Sequence, residues 1–571
     1  MADFTPTEEQ EIIVASKAHR LKVKAFAGAT KTTTCDLYAR ARPGKNIMYL
    51  AFNKSTATEA QARFPRNVKC TTTHALAFGR TGRVYQHKLG SPRANSIAQN
   101  MNIQFVQAGK ALEVINNYLT SADEKISMKH VPQDTKELNA GRLIDISNRI
   151  WTQMQDTQNS AVAMPHDGYL KLFQLSKPKV NQTDIIILDE AQDTNPVTLD
   201  IVLSQSCGIV AVGDSHQSIY QFRNAVDALG KFAADEELRL TQSFRFGKGV
   251  AELASTLLRV WKDEQTPIIG KGKYDTIFHV DMNAPHAKLA RTNGGIFEAA
   301  VEVYRQGLPY GFLGGVEGYR MDGIMNAYLL YANRQYDIKD KYIRDFGEFQ
   351  ALREYAESME DYELKHLIKC VDNYGHEIPA LIDGIKANAI PQLTGQEIVF
   401  STAHKSKGAE FDSVLLLDDY PDLAVKENDK GVKEYPSEED INITYVAMTR
   451  AKRCLQVNSS VEMWLRDIGR LDLIGGQVGA TNGYHHVTPA AAPKINAKQT
   501  IPYSAYMNQL KRTWMNRVDF NTLPVAHIFP ALESQGVPDH LIRAFCAKEY
   551  GLLSADDVLK CLWILSIPVE N

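Results

Sequence analysis

The stretch Asp184-Ile-Ile-Ile-Leu-Asp-Glu-Ala-Gln-Asp-Thr194 decides the fold. Its run of apolar residues, mostly β-branched, is typical of a short strand buried on both faces of a parallel sheet. Asp189 and Glu190 follow at the carboxyl end of this strand, where open α/β sheets bind their ligands. In a nucleotide-hydrolysing site, the first acid of such a pair binds Mg²⁺ and the second orients or deprotonates the attacking water. The alternative is a buried strand that ends in two solvated acids, and the presence of a phosphate site elsewhere decides between them.

The composition is that of a large globular protein. With 571 residues the chain is too long for a single core, and roughly three to five domains are expected. The net charge of −3 excludes an overall basic surface, so any contact with nucleic acid must be a local patch or channel. The 7 cysteines are scattered without a Cys-x-x-Cys pair, which favours reduced thiols over a disulfide framework or a zinc site.

The N-terminus and the hydropathy indicate a soluble intracellular protein. The start of the chain lacks the basic and apolar regions of a signal peptide. No apolar run approaches the ~20 residues that span a bilayer. We therefore expect no membrane partner and a cytoplasmic location, or a nuclear one if the source is eukaryotic.

A phosphate-binding loop is predicted near the N-terminus. A short strand pattern at residues 21–26 runs into Ala25-Phe-Ala-Gly-Ala-Thr-Lys-Thr-Thr33. A glycine-bearing turn before a helix that begins Lys-Thr can cradle phosphates with its backbone N–H groups. In this pattern Lys31 reaches the β- and γ-phosphates, and the Thr32 hydroxyl binds Mg²⁺.

Thr30 departs from the usual pattern, which has glycine directly before the lysine. A β-branched residue resists the backbone angles that glycine permits, and its side chain crowds the phosphates. Two hypotheses follow: either the loop relaxes and hydrolysis survives, or the chain binds nucleotide without turning it over.

Further motifs follow in order along the chain. They are Val210-Ala-Val-Gly-Asp-Ser-His-Gln-Ser-Ile-Tyr-Gln-Phe-Arg223, Leu240-Thr-Gln-Ser-Phe-Arg245, Ser401-Thr-Ala-His-Lys-Ser-Lys-Gly-Ala-Glu-Phe-Asp412 and Tyr445-Val-Ala-Met-Thr-Arg-Ala-Lys452. Together with the loop and the acidic strand they resemble the motif set of UvrD/Rep-type superfamily 1 DNA helicases, over about residues 4 to 460. Residues 52–55, 64–78 and 166–171 resemble most the helicase region of F-box DNA helicases, although no F-box is evident.

The resemblance implies an α/β fold with two RecA-like parallel-sheet motor domains and helical insertions, and the helical pattern at the end of the chain adds a small C-terminal helical domain. ATP and Mg²⁺ would bind between the two domains, and single-stranded or tailed duplex DNA would cross their top, with movement 3′ to 5′. The expected boundaries are 1–80 and 180–247 for the first domain, 81–179 for its insertion, 248–310 and 392–465 for the second domain, 311–391 for its insertion, 466–499 for a flexible linker and 500–571 for the C-terminal domain.

The resemblance also implies roles for individual residues. The catalytic set is Glu190, Lys31, Gln217, Arg245 and Arg450. In the nucleotide-binding set, Gln10 would read adenine, Phe244 would stack on adenine and Glu410 would contact ribose. The set also contains the loop residues Ala27, Gly28, Ala29, Thr30, Lys31, Thr32 and Thr33. Thr32 and Asp189 would bind Mg²⁺, and Phe52, Asn53, Thr73, His74, Phe222 and His404 would contact DNA.

Each of these residues has a structural alternative. The aromatic residues could be ordinary core side chains, the histidines could be satisfied structural histidines, and Arg245 could form a surface ion pair of little energetic value. The second insertion could lie over duplex DNA or serve only as a scaffold.

The C-terminal region resembles no family. Glycine and proline residues indicate a flexible linker at 474–498, and residues 500–571 carry an aromatic and basic helical face that could bind a protein partner or pack on its neighbours. Two rival readings therefore remain open: a DNA-binding regulator impaired in hydrolysis, and a motor subunit of a DNA repair or defence system recruited through residues 500–571.

Overall fold

The fold was analysed on a computed structural model, which describes residues 5–132, 135, 139–219, 228–358, 362–427 and 433–475. The predictions for residues 500–571 and for Phe222 lie outside these ranges. The described residues belong to one compact unit of the chain.

A six-stranded parallel sheet forms the first domain, with the strand order β3-β2-β4-β5-β1-β6. Its central strand β4 is the apolar run Ile185–Leu188, which pairs with β2 on one side and β5 on the other because both of its faces are apolar. The elements of this domain are α1 (Glu8–Ala15), β1 (Arg20–Ala25), α2 (Lys31–Arg40), β2 (Ile47–Leu50), α3 (Lys54–Arg63), β3 (Val68–Thr71), α4 (Thr73–Arg80), β4 (Ile185–Leu188), α9 (Pro196–Leu203), β5 (Gly208–Gly213), α10 (Ala228–Lys231), β6 (Glu236–Leu240) and β7 (Gln242–Ser243).

A helical insertion separates α4 from β4. Its helices are α5 (Ala94–Met101), α6 (Phe105–Thr120), α7 (Ala140–Gln155) and α8 (His166–Leu175). They bury a core of their own, which includes Ile150, Tyr118 and Phe173 and continues into α9 of the first domain. The insertion is therefore anchored on the domain that it interrupts.

A second parallel sheet, with the order β10-β11-β9-β12-β15, forms the second domain. The elements outside its insertion are α11 (Lys248–Lys262), β8 (Ile269–Gly270), β9 (Ala287–Ala290), α12 (Asn293–Arg305), β10 (Tyr310–Phe312), β11 (Ile398–Thr402), α18 (Ala403–Ser406), β12 (Phe411–Leu416), β13 (Lys426–Glu427), β14 (Lys433–Glu434), α19 (Glu438–Met448), β15 (Ala451–Gln456) and α20 (Ser459–Asp467). The prediction of an α/β fold with two parallel sheets and helical insertions is confirmed.

The insertion of the second domain consists of α13 (Met321–Tyr331), α14 (Lys341–Asp345), α15 (Phe349–Ser358), α16 (Tyr362–Tyr374) and α17 (Ile378–Asn388). It follows β10, which pairs with β11 as far as Phe312. The expected boundary between residues 310 and 311 therefore falls inside a strand, because Gly311 and Phe312 continue the ladder.

The predicted linker begins later than residue 466. Helix α20 continues to Asp467, and a 3₁₀ turn follows at Leu471–Ile474. Leu473 is buried in the core of the second domain, and Leu471 and Ile474 pack against that core. These apolar side chains hold the segment on the domain, which composition alone did not indicate.

The two domains share buried surface. One core of the second domain, built from α11, α19 and its sheet, also contains Phe26, Ala27 and Ile219 of the first domain. Phe26 and Ala27 begin the loop after β1, so this packing brings the predicted phosphate loop against the second domain.

Within the described ranges, no helix combines the length and the apolar character that a membrane crossing requires.

Replacing Trp464 should destabilise the second domain. Trp464 is 1 % exposed and packs into its core from α20. We expect Trp464→Ala to lower the free energy of unfolding by about 3–5 kcal/mol in urea denaturation, through lost apolar contact and a residual cavity. Met463→Ala is the matched control, because the neighbouring Met463 is 45 % exposed; its loss should stay below about 1 kcal/mol. Equal losses in the two variants would contradict the assigned packing.

Candidate functional site

The predicted site residues lie at the carboxyl edge of the first sheet. The loop of residues 26–30 follows β1, Asp189 and Glu190 follow β4, and Asp214 follows β5. These three strands are neighbours, in the order β4-β5-β1, so parallel pairing brings their ends together. The DNA-contact candidates that follow β2 and β3 occupy the other end of the same edge.

Two carboxylates form the centre of the site. Asp189 is 3 % exposed and accepts hydrogen bonds from the Tyr49 hydroxyl and from the backbone N–H of Glu190. Glu190 accepts a hydrogen bond from Gln192 Nε2 at 2.7 Å and forms an ion pair with Lys31, with 3.1 Å between Nζ and Oε1. The predicted loop lysine and the predicted catalytic acid are therefore in direct contact.

The environment drives the pKa values of the two acids apart. Burial and the neighbouring Glu190 charge raise the pKa of Asp189. Burial would raise the pKa of Glu190 as well, but the charges of Lys31 and Lys407 outweigh it and hold that pKa below its usual range. The pKa of Lys31 is raised, since the charges of Glu190, Asp214 and Asp189 outweigh the effect of burial. Glu190 is thus an ionised carboxylate that can accept a proton.

Lys407 of the second domain reaches into the first. Its ammonium group donates to the Asp193 carboxylate and to the backbone carbonyl of Gln217. The side chains of Asp193 and Lys407 are 1 % and 10 % exposed. Burial raises the pKa of Asp193 to about 6, although Lys407 opposes the shift. This buried ion pair joins the acidic segment after β4 to the segment after β11.

Tyr445, on α19, connects the phosphate loop to Asp214. Its hydroxyl accepts the Ala27 N–H at 3.1 Å and donates to Asp214 Oδ2 at 3.2 Å. Asp214 Oδ2 also accepts from Gln217 Nε2 at 2.7 Å. All of these groups are buried, so the loop after β1, the loop after β5 and the second domain form one hydrogen-bonded unit.

Both predicted arginines lie at the boundary between the domains. Arg450 is 1 % exposed, and its guanidinium donates to Gln217 Oε1 at 3.3 Å. Burial and the charge of Arg245 lower the pKa of Arg450 to about 9. Arg245 donates to Glu410 at 3.0 Å and to the backbone carbonyl of Thr449 at 3.1 Å. Arg245 and Arg450 are thus held side by side, facing the acids of the first domain.

Thr30 adopts the left-handed conformation predicted to be unfavourable for it, with φ 54° and ψ 39°. Its hydroxyl accepts a hydrogen bond from Gln10 Nε2 at 3.0 Å. The loop also depends on Gly28, which has φ 73°. A Cβ atom at Gly28 would lie 2.4 Å from Ser243 Oγ and 2.7 Å from Arg245 Cβ, so only glycine fits between these residues.

Gln10 is expected to read adenine but contacts the phosphate loop. It is 1 % exposed, and its carboxamide bonds to Thr7, Thr30 and Thr34. Thr33, in the first turn of α2, accepts a hydrogen bond from Arg63 at 2.6 Å. Ala29 is buried in the core under the sheet.

Thr32 and Asp189, the predicted Mg²⁺ ligands, offer the oxygen donors that this ion prefers. The Tyr49 hydroxyl bonds to Asp189 and interacts with Thr32, which holds the two predicted ligands around one point. The pKa of the buried Asp189 carboxylate is raised, and a cation bound nearby would lower it again. Mg²⁺ is commonly bound by one or two protein oxygens together with phosphate oxygens and water. Thr32 and Asp189 would hold it here.

Phe244 and Glu410 lie at the open side of the cleft. Phe244 is 43 % exposed, and its N–H donates to the Gly28 carbonyl at 3.0 Å. The position of Phe244 beside the loop leaves its ring accessible to a flat partner. The side chain of Glu410 is 49 % exposed and pairs with Arg245.

The DNA-contact candidates differ in accessibility. Phe52 is 46 % exposed, and the side-chain Oδ1 of Asn53 caps α3 by accepting the Thr56 N–H at 2.9 Å. Thr73 is 7 % exposed and can offer DNA little surface. His74 bonds to Asp167 of the first insertion at 3.0 Å, and both side chains are partly exposed.

His404 differs from the expectation. Its Nε2 lies 3.2 Å from the backbone carbonyl of Ile219 and 4.0 Å from Glu439. The ring therefore bridges the two domains, because α18 packs directly beside the segment after β5. Phe222 lies outside the described residues.

Several residues of the site were not assigned from sequence, among them Tyr49, Asp193, Asp214, Lys407 and Tyr445. Asp214 and Lys407 stand inside the quoted motifs, each close to the end of a strand, which was the available signal. Tyr445 also stands in a quoted motif, whereas Tyr49 lies in an apolar segment outside them. Each of the two tyrosines acts through a hydroxyl that reaches a partner distant in sequence.

Removing the buried cation should destabilise the closed arrangement. At pH 8 we expect Lys407→Met to lower the free energy of unfolding by about 3–5 kcal/mol, since Asp193 is left as an unpaired buried charge. The deficit should shrink toward pH 5, because protonation of Asp193 removes that charge.

Lys452→Met is the control, since Lys452 pairs at 2.7 Å with Asp412, whose side chain is 72 % exposed. Lys452→Met should lower the free energy of unfolding by no more than about 1 kcal/mol. A Lys407→Met deficit of that size, unchanged between pH 5 and pH 8, would contradict the buried pair.

Comparison with known proteins places the chain among helicases. A family model, the UvrD-like helicase C-terminal domain, matches residues 110–462, which is more than half of the chain. F-box DNA helicase 1 of Gallus gallus is 32 % identical over 523 residues, covering 84 % of this chain and 52 % of that protein.

F-box DNA helicase protein 1 of Schizosaccharomyces pombe is 30 % identical over 524 residues, covering 82 % of this chain and 59 % of that protein. The ATP-dependent DNA helicase srs2 of Schizosaccharomyces pombe is 31 % identical over 134 residues, covering 22 % of this chain and 14 % of that protein. The chain spans between half and three fifths of the length of the two F-box relatives. The ordered motifs, the two parallel sheets and the family match together show that the chain belongs to the UvrD-like helicase family.

Proposed function

We propose that this chain is an ATP-dependent DNA helicase or translocase that moves 3′ to 5′ along single-stranded DNA and couples hydrolysis to strand separation or protein displacement. The observation that carries the proposal is the convergence of charges from both domains on one cleft. Lys31 and Glu190 come from the first domain, whereas Arg245 and Arg450 lie beside them at the boundary with the second.

The arrangement suits phosphoryl transfer to water. Lys31 can exchange its contact with Glu190 for the β- and γ-phosphate oxygens, which frees the Glu190 carboxylate for the attacking water. The lowered pKa keeps Glu190 ionised at neutral pH, as a general base requires. Arg245 and Arg450 are the groups that can neutralise charge on the γ-phosphate. Bound Mg²⁺, held by Thr32 and Asp189, would neutralise phosphate charge and align the triphosphate.

Hydrolysis can be coupled to domain movement through Gln217. Its side chain bonds to Asp214 of its own domain and to Arg450, which follows α19 of the other. A γ-phosphate arriving at this point would compete for Arg450, so the contact between the domains would depend on the state of the nucleotide.

DNA would cross the other end of the same sheet edge. Phe52 presents an exposed ring there, and His74 presents a partly exposed imidazole. Stacking of a base on an aromatic ring contributes ~1–3 kcal/mol and does not select a sequence. A protein that slides along a strand must bind every base in turn, so it requires contacts without sequence preference.

One observation favours a second candidate function, a nucleotide-gated DNA-binding regulator that does not turn ATP over. Thr30 adopts positive φ in the phosphate loop, at a position where glycine is usual. Retention of Lys31, Glu190, Arg245 and Arg450 favours an active motor instead: Lys31 pairs with Glu190, and Arg450 lies within range of the charges of Glu190 and Arg245.

The cellular role is a further proposal, since the relatives extend well beyond the matched region. The chain would act on DNA in the cytoplasm, or in the nucleus if the source is eukaryotic, without a membrane partner. It would serve DNA repair or defence against foreign DNA, with residues 500–571 recruiting a protein partner.

ATP turnover stimulated by single-stranded DNA separates the active motor from the regulator. We expect Glu190→Gln to lower kcat at least about 100-fold, because the general base is lost. The KM for ATP should change little, because the amide keeps the size of the side chain. Glu462→Gln is the control: Glu462 lies on α20, pairs with Arg466, and should leave turnover unchanged. Wild-type turnover no higher than that of Glu190→Gln would favour the regulator.

The direction of movement is tested with tailed duplexes. We expect ATP-dependent strand separation on duplexes that carry a 3′ single-stranded tail and none on matched duplexes that carry a 5′ tail. Glu190→Gln should be inactive on both substrates while still binding them. Unwinding that requires the 5′ tail would contradict the proposed polarity and leave the ATPase proposal intact.

A further inference from the structure

Tyr49 directs its hydroxyl at both predicted Mg²⁺ ligands, Thr32 and Asp189. We infer that Tyr49 is a positioning residue, whose hydroxyl orients both ligand side chains and thereby sets the affinity of the site for Mg²⁺. The inference rests on the proposed function, because Mg²⁺ accompanies the triphosphate that the site would bind. It adds a residue that lies outside the sequence motifs of the site.

The ring of Tyr49 has a fixed position inside the first domain. Tyr49 is 0 % exposed and lies on β2, in register with Ile187 of β4 and with Cys70 of β3. Its ring packs on the ring of Phe64, with 4.8 Å between the two centroids. Close packing of this kind leaves a buried side chain little freedom to follow a moving partner. The hydroxyl therefore acts as a rigid point on which its polar partners are aligned.

The direction of the hydrogen bonds follows from counting protons. A tyrosine hydroxyl has one proton, and an ionised Asp189 can only accept, so Tyr49 donates to Asp189 Oδ2. Burial and the charge of Asp189 raise the pKa of Tyr49, whereas its contact with Thr32 acts in the opposite direction. A donor has that effect, because a donated proton stabilises the phenolate. The protons therefore run from Thr32 to Tyr49 and from Tyr49 to Asp189.

This chain of hydrogen bonds orients both ligand side chains. A hydroxyl that binds a cation turns a lone pair toward it and its proton away, and the Tyr49 oxygen receives the proton of Thr32. Asp189 is held at both oxygens, since Oδ2 accepts from Tyr49 and Oδ1 accepts the Glu190 N–H at 2.9 Å. Removing a group that holds metal ligands in this way lowers metal affinity about 10- to 100-fold.

Tyr310 shows what a purely structural tyrosine hydroxyl looks like in the same chain. Tyr310 lies on β10 of the second domain, is 2 % exposed and donates to the backbone carbonyl of Ile385 at 3.0 Å. Its partner belongs to a helix end, whereas the partners of Tyr49 are side chains that the site itself would use. Loss of either hydroxyl removes a buried hydrogen bond, but only the loss at Tyr49 should alter the response to Mg²⁺.

The test measures binding on the full-length protein rather than turnover. The affinity for a non-hydrolysable ATP analogue is titrated at increasing free Mg²⁺ and, separately, in EDTA. We expect Tyr49→Phe to raise the Mg²⁺ concentration at the midpoint of the metal-dependent gain in affinity about tenfold, because the ligands lose their alignment. The affinity in EDTA should change less than about twofold, which also shows that the variant is folded. Tyr310→Phe is the matched control and should leave both quantities unchanged.

The outcomes separate the inference from the proposed function. An Mg²⁺ midpoint that is unchanged or lowered in Tyr49→Phe would overturn the inference and leave the proposed function intact. An equal loss of affinity with Mg²⁺ and in EDTA would also overturn it, because the hydroxyl would then support the fold of the site rather than the metal ligands. Absence of Mg²⁺-dependent binding in the wild-type protein would contradict the proposed function and the inference together.

Discussion

Buried carboxylates at the ends of two neighbouring strands set the main constraint on this protein. Asp189, Asp193 and Asp214 are each almost fully buried, and unpaired charges in such positions would be costly. Lys407 of the second domain pairs with Asp193. The charges of Lys31, at the start of α2, and of Arg450, from the second domain, act on the other acids. Asp193 and Asp214 therefore help to hold the two domains together, through Lys407 and Tyr445.

This arrangement makes the domain boundary sensitive to an added anion. The groups that bridge the boundary, Tyr445, Gln217 and Lys407, contact the same loops that would bind a triphosphate. Phosphate oxygens would compete for the cations, and the backbone N–H of Ala27 now satisfied by Tyr445 is one of the loop donors. Binding and hydrolysis of a triphosphate would thereby change the contacts between the domains. Phe52 lies at the other end of the same sheet edge.

The sequence predicted the fold, and it predicted that Lys31, Asp189 and Glu190 lie close together, for a physical reason. Apolar runs such as 185–188 can only be buried strands, and polar residues that follow parallel strands must meet at one edge. The partners of Gln10 and His404 were not predictable, because side-chain hydrogen bonds to residues distant in sequence depend on packing. The roles of Tyr49 and Tyr445 were missed for the same reason. Leu473 belongs to the core of the second domain, although the composition had indicated a linker from residue 466.

The most direct test of this account is an experimental structure of the protein bound to a non-hydrolysable ATP analogue, Mg²⁺ and single-stranded DNA. The account predicts that the triphosphate lies between the domains, with Lys31 withdrawn from Glu190 and with Arg245 and Arg450 on the γ-phosphate. A nucleotide bound outside this cleft, or one contacted by the first domain alone, would contradict it.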